Sequence, residues 1–166
     1  MTSDTWDHQA RAIAQAGYRA IAYDRRGFGR SSQPWQGYDY DTLADDLAAV
    51  IEQCGAQQAT LVGFSMGGGE VARYMSRHGG KAVAQAVLVS SVVPCLMKSD
   101  GNPEGVWLDV FMSMQEVIQK DRALFFAEFF KDFFGVSLLA SPVSGPLLEW
   151  VRSLAMQASL QATLEC

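Results

Sequence analysis

The sequence predicts an α/β fold: parallel strands with flanking helices, followed by an all-helical C-terminal part. Three observations predict it. Helix-like and strand-like stretches alternate through the first half of the chain. A serine held between glycines sits where the strand-like run "ATLVGF" (59–64) passes into a helix-like one. After Pro94 strand-like runs cease and helical spacing takes over. The 166 residues, 49% apolar and 19% charged, suffice for one domain with a sizeable core and argue against disorder.

Thr5 to Ala16 has helical spacing, with Trp6, Ala10, Ile13 and Ala14 on one side, and Gly17 stops it. "YRAIAY" (18–23) is apolar with a β-branched residue and reads as a strand. "DRRGFGRSSQPWQGYD" (24–39), rich in glycine, serine and proline, reads as a loop. Asp41 to Cys54 is amphipathic: Leu43, Leu47, Val50 and Ile51 form its stripe, Asp41, Asp45 and Asp46 suit its N-terminal half, and Gly55 ends it. "ATLVGF" is a short strand of the buried kind. Met66 to Arg77 is a helix ended by Gly79-Gly80, and "VAQAVLVSSVV" (83–93) is another strand. This order implies parallel pairing through right-handed crossovers. "CLMKSDGNPEG" (95–105) is a loop. Residues 106–164 read as helices with breaks near Gly135 and at "SPVSGP" (141–146), where Ser144 with Pro146 resembles a helix start. The expected division is an α/β part, 1–94, and a helical part, 95–166.

The net charge of −5 disfavours a nucleic-acid partner, since phosphate binding wants a basic face. The N-terminus lacks a basic start followed by an apolar stretch, and no run of about 18 apolar residues exists. Neither a signal peptide nor a membrane span is expected. Cys54, Cys95 and Cys166 are odd in number, far apart and outside any C-x-x-C. Reduced thiols in a cytoplasm are favoured over a disulfide or a metal role. Two isolated histidines provide no zinc cluster.

Gly63-Phe64-Ser65-Met66-Gly67 spells G-x-S-x-G. A sharp strand-to-helix turn forces the serine into a strained conformation and needs small residues two positions either side. Gly63 and Gly67 supply them. The turn lifts the Ser65 hydroxyl above the end of the sheet and aims the Met66 N–H where an oxyanion would form. Gly68 and Gly69 are poor helix formers, so the helix is expected to pack very close to the sheet. The competing reading is a tight turn that happens to contain serine; the flanking strand and helix disfavour it. "GFGRSS" (27–32) partly mimics a dinucleotide loop but has Ser32 at the third glycine, with Pro34 and Gly37 where a helix should open. No phosphate-binding G-x-x-x-x-G-K-[ST] occurs.

Three stretches carry a family resemblance: "YDRRGFGRSSQPWQGYDYDTLADDL" (23–47), "LVGFSMGGGEVARYMSRHGG" (61–80) and "KAVAQAVLVSSVVP" (81–94). The chain resembles the α/β-hydrolases, in the branch of cofactor-free haloperoxidases, perhydrolases and aryl esterases. The resemblance implies an incomplete α/β-hydrolase fold with residues from 95 onward as a helical cap. It implies Ser65 as nucleophile, the Met66 N–H as one oxyanion donor, and Gly63 and Gly67 as supports of the turn. The implied substrates are small esters or carboxylic acids, with water or hydrogen peroxide as acceptor and without haem, metal or other cofactor. Phe125, Phe126, Phe129, Phe130, Phe133 and Phe134 recur at helical spacing; core packing of the cap is favoured over lining an acyl pocket.

The family runs Ser, Asp, His along the chain, with acid and base after the cap. Neither is expected in this chain, nor is the loop that gives the second oxyanion N–H. His78 lies thirteen residues past Ser65 in the same helix. That separation is about 20 Å along a helix, against the roughly 3 Å a base requires. His8 is likewise disfavoured, and Asp24 is read as support for the Arg25–Arg26 loop. The resemblance further places a strand, absent here, between 18–23 and 59–64. Either those strands pair directly, or another segment or chain fills the gap. A partner segment is expected, as self-association or complementation, because an open gap strands backbone groups. The alternative to an esterase or perhydrolase is a truncated, inactive hydrolase-like module that works by assembly.

Overall fold

The computed structural model describes residues 1–166. In chain order the elements are a 3-10 turn at Ser3–Trp6, α1 (Asp7–Gln15), α2 (Tyr40–Gln53), β1 (Ala59–Phe64), α3 (Met66–Arg77), β2 (Val83–Val89), α4 (Leu108–Phe133), α5 (Gly145–Ala155) and α6 (Leu160–Glu165). Two compact units form, one of residues 1–36 with 113–166 and one of residues 37–112. The boundary expected at 94 marks a change of secondary-structure type. The compact units follow contacts instead, and group the first 36 residues with the C-terminal helices.

In the unit of residues 37–112, β1 and β2 pair in parallel, with Leu61 opposite Ala86 and Gly63 opposite Leu88. Asp39 caps α2 by accepting the Thr42 N–H at 2.9 Å, which starts that helix one residue before Asp41. The stripe Leu43, Ala44, Leu47 and Ile51 is buried, as are Val71 and Tyr74 of α3. Outside this core the two helices are bridged by ion pairs. Arg73 meets Asp41, and Arg77 Nε and Nη2 meet Asp45 at 2.8 and 3.0 Å. Burial alternates along β1: Leu61 and Gly63 are covered, while Thr60, Val62 and Phe64 are not. Val62, Phe64, Val87, Leu88 and Val89 remain 41–45% exposed. A parallel sheet is ordinarily covered on both faces, so these strands present an unusual amount of bare apolar surface.

The strand expected at 18–23 does not form. A strand exists only through its ladder, and the sheet contains β1 and β2 alone. Tyr18 is 72% exposed and Ile21 is also exposed, while Ala20 and Tyr23 are partly buried. Direct pairing of 18–23 with 59–64 is therefore not the solution this chain adopts. The second strand is also shorter than the expected 83–93. It ends at Val89 because Ser90 turns the backbone to φ +43°.

In the other unit, α1 closes as the sequence implies. Gly17 at φ +88° lets its own N–H reach the Ala14 carbonyl and the Tyr18 N–H reach that of Ile13. Yet α1 buries none of its residues. The phenylalanines of α4, with Phe134 just after it, divide between two faces. Phe126, Phe130 and Phe134 pack against Leu148, Val151 and Ala155 of α5, whereas Phe129 and Phe133 stack on each other at 6.0 Å and stay exposed. The favoured core role thus describes the first three. Ser144 caps α5 through the Leu147 N–H, with Pro146 in the first turn, as the sequence suggested.

Asp24 is the buried anchor of the long loop. Its carboxylate accepts the Ser3 N–H at 2.6 Å and the Arg30 N–H at 2.8 Å, and pairs with Arg30 Nε at 3.2 Å. Burial pushes this carboxyl up, but the Ser3 and Arg30 hydrogen bonds and the Arg30 charge outweigh it and hold the group below its ordinary 3.8. A lowered carboxylate stabilises the fold above its unfolded value, and that stability is lost as pH falls through the folded value. The Asp24→Asn variant is expected to lose about 1–3 kcal/mol at pH 7. Thermal melting from pH 7 down to 3 checks this: the gap between wild type and variant should begin to narrow as pH falls toward and below 3.8. A gap of constant size across that range would show that ionisation of Asp24 is not its source.

Candidate active site

Ser65 joins β1 to α3 at φ +52°, ψ −123°. A non-glycine residue held there costs on the order of 1–3 kcal/mol, and persists only where its surroundings over-determine it. They do so here. The Ser65 N–H continues the ladder by donating to the Val89 carbonyl at 3.0 Å. The Ser65 carbonyl accepts from the Gly68 N–H at 3.0 Å, the Val92 N–H at 3.3 Å and the Ser91 hydroxyl at 3.4 Å. The Ser65 side chain makes no capping bond to α3, so its oxygen is not consumed in holding the turn.

The glycines are explained by what a side chain would strike. A Cβ on Gly63 would stand 2.5 Å from the Gly67 carbonyl oxygen and 2.7 Å from the Gly68 Cα. On Gly68 it would collide with the Ser91 hydroxyl, and on Gly69 it would lie 2.6 Å from the Tyr40 ring. Gly68 and Gly69 were expected to bring the helix close to the sheet; Gly68 meets Ser91, just beyond the end of β2, whereas Gly69 meets Tyr40 at the start of α2. Met66 begins α3. The first N–H groups of a helix have no intrahelical acceptor, and the helix dipole adds positive potential there. An anion forming beside Ser65 would meet that end of the helix.

Two residues of this arrangement were not singled out from sequence: Ser91, and Tyr40, whose hydroxyl donates to the Met66 carbonyl at 3.3 Å. The run Gly67-Gly68-Gly69 was the available signal, since consecutive helical glycines imply bulky neighbours at the backbone.

The structure does not bring a base to Ser65. His78 caps the far end of α3, with Nε2 2.9 Å from Asp45 Oδ1 and its ring stacked on Tyr74 at 5.1 Å. The twelve residues of α3 lie between the two, roughly 18 Å of helix. His8 is an exposed residue of α1, in the other compact unit. No group of three or more His, Cys, Asp or Glu side chains is placed to hold a metal ion. None of the three cysteines is in a disulfide. No helix is long and apolar enough to cross a membrane.

The family model described as the α/β hydrolase fold matches residues 1–163. A bifunctional esterase/perhydrolase of Acinetobacter calcoaceticus is 44% identical over 92% of this chain and 56% of its own. A non-heme haloperoxidase of Rhodococcus erythropolis is 41% identical over 99% of this chain and 61% of its own. The crystal structure of a bromoperoxidase from Bacillus anthracis superposes with a TM-score of 0.94 at 43% identity, over 100% of this chain and 60% of that one. The chain thus spans about 60% of the length of the relatives it matches. Similarity over residues 1–163, with a strained serine between a parallel strand and a glycine-led helix, establishes that this chain belongs to the α/β hydrolase fold family.

Proposed function

We propose that Ser65 is the nucleophile of an acyl-transfer site that passes acyl groups from small esters or carboxylic acids to water or hydrogen peroxide. One observation carries the reading: Ser65 is held in a costly backbone conformation that leaves its hydroxyl uncommitted at the head of α3. In the proposed reaction Ser65 Oγ bonds to the acyl carbon, and the resulting oxyanion is met by the Met66 N–H. The carbonyl re-forms as the alcohol leaves with a proton, giving an ester on Ser65. Water or hydrogen peroxide then attacks that ester and releases the acid or the peracid. Proton transfer needs a base within about 3 Å, and neither histidine of the chain is so placed. The family pattern assigns base and acid to sequence beyond the matched 60% of the relatives. The similarity to an esterase/perhydrolase and a haloperoxidase supports this substrate class. Three cysteines outside any disulfide fit the proposed cytoplasmic setting.

A second reading, an inactive hydrolase-like module that self-associates, is favoured by the bare apolar surface of β1 and β2. Incubation with p-nitrophenyl acetate, with and without hydrogen peroxide, separates the two when combined with light scattering. Serine-dependent ester cleavage, with peracid formed when peroxide is present, supports the enzyme. A stable oligomer with no turnover above buffer supports the module.

A further inference from the structure

We propose that Ser91 is a positioning residue that aims and strengthens the Met66 N–H as an oxyanion donor, acting through the peptide bond it shares with Ser65. The inference deepens the acyl-transfer reading and rests on it. A peptide unit is planar and trans, so the Ser65 carbonyl and the Met66 N–H point in opposite directions from one rigid plate. Whatever fixes the carbonyl fixes the N–H. That carbonyl accepts from Gly68, Val92 and Ser91, and two of the three donors come from the turn just beyond β2. Ser90, at φ +43°, bends the chain so that Ser91 and Val92 face back toward Ser65.

Ser91 acts twice. Its hydroxyl donates to the plate, and its side chain occupies the space above Gly68, where a Cβ on that glycine would collide with it. Donors on a carbonyl also polarise the amide and strengthen the N–H at its other end. The 3.4 Å separation marks the Ser91 bond as the weakest of the three. Loss of a whole oxyanion donor costs on the order of 10²–10³-fold in rate, and a misaimed donor costs a fraction of that.

The test compares wild type, Ser91→Ala and Ser91→Thr as this full chain, with a fluorophosphonate as probe. Ser91→Ala is expected to slow the maximal rate of Ser65 phosphonylation about tenfold, with the half-saturating probe concentration unchanged. Ser91→Thr, which keeps the hydroxyl, should restore most of the rate. By NMR, the Ser65 carbonyl carbon and the Met66 amide proton should both shift upfield in Ser91→Ala and return in Ser91→Thr. An unchanged rate, a loss confined to probe binding, or a loss that threonine does not restore overturns the proposal. If wild type is not phosphonylated, the acyl-transfer reading fails for this chain by itself, and the two resonances then decide alone. Resonances that move in the alanine variant and return in the threonine variant uphold the positioning role; any other pattern overturns it.

Discussion

Replacing Ser65 with alanine is expected to abolish labelling by a fluorophosphonate and to reduce p-nitrophenyl acetate turnover, in whatever assembly shows it, by at least about 10³-fold. The size of the effect follows from what the side chain does in the resting structure. Its oxygen caps no helix, so removing it would take away the proposed attacking atom and little of the scaffold. The backbone bonds of Ser65 to Val89, Gly68 and Val92 do not involve the side chain and remain in the variant. Alanine at φ +52° bears much the same backbone strain as serine, so the melting temperature should change little. Residual turnover from the Met66 N–H sets a floor above the uncatalysed rate. Intact-mass measurement of the labelled protein and initial rates of ester cleavage check both halves. An alanine variant that matches its parent in either would remove Ser65 from the chemistry.

The second large effect is on the scaffold. Gly63→Ala is expected to destabilise the fold by roughly 3 kcal/mol and to abolish phosphonylation of any Ser65 that remains folded. The new methyl group would lie 2.5 Å from the Gly67 carbonyl oxygen and 2.7 Å from the Gly68 Cα. Both are backbone atoms at the start of α3, so no rotamer change relieves the overlap. Relief comes only by lifting the first turn of α3 away from β1. That movement would break the Gly68 N–H bond to Ser65 and release Tyr40 from Gly69 and the Met66 carbonyl. Gly17→Ala is a useful contrast, because no atom lies within 4 Å of its Cβ position. That change should cost only the strain of its left-handed backbone, about 1 kcal/mol. Denaturant titration separates the two, and equal losses would show that crowding at Gly63 is not what matters.

Much of the region around Ser65 could be read before the structure was seen. Strand 59–64 and helix 66–77 are carried by local chemistry: an apolar run, a glycine-flanked serine and an amphipathic helix between glycines. Segment 18–23 has the same local chemistry and failed, because strand formation also needs a partner ladder that no other segment of this chain supplies. Ser91 and Tyr40 were missed for a related reason. Each meets the glycine run from about 25 residues away, and sequence spacing carries no signal for such a contact. Asp24 shows the opposite case. Its role as a loop anchor was legible through the family resemblance, which gives that position a structural part in holding the Arg25–Arg26 loop.

The turn beyond β2 has a further consequence, for the order in which this protein takes shape during synthesis. The donors that hold Ser65 in its costly conformation, apart from Gly68, are contributed by residues 91 and 92. Until they have left the ribosome and β2 has paired, the motif exists as letters without the geometry that gives it meaning. A chain ending at residue 82 should therefore keep Ser65 at a negative φ, readable from its amide–Hα coupling. Ser65 is thus translated early and set into its strained turn late, so a nascent chain does not hold the serine in that conformation while most of its surface is still open.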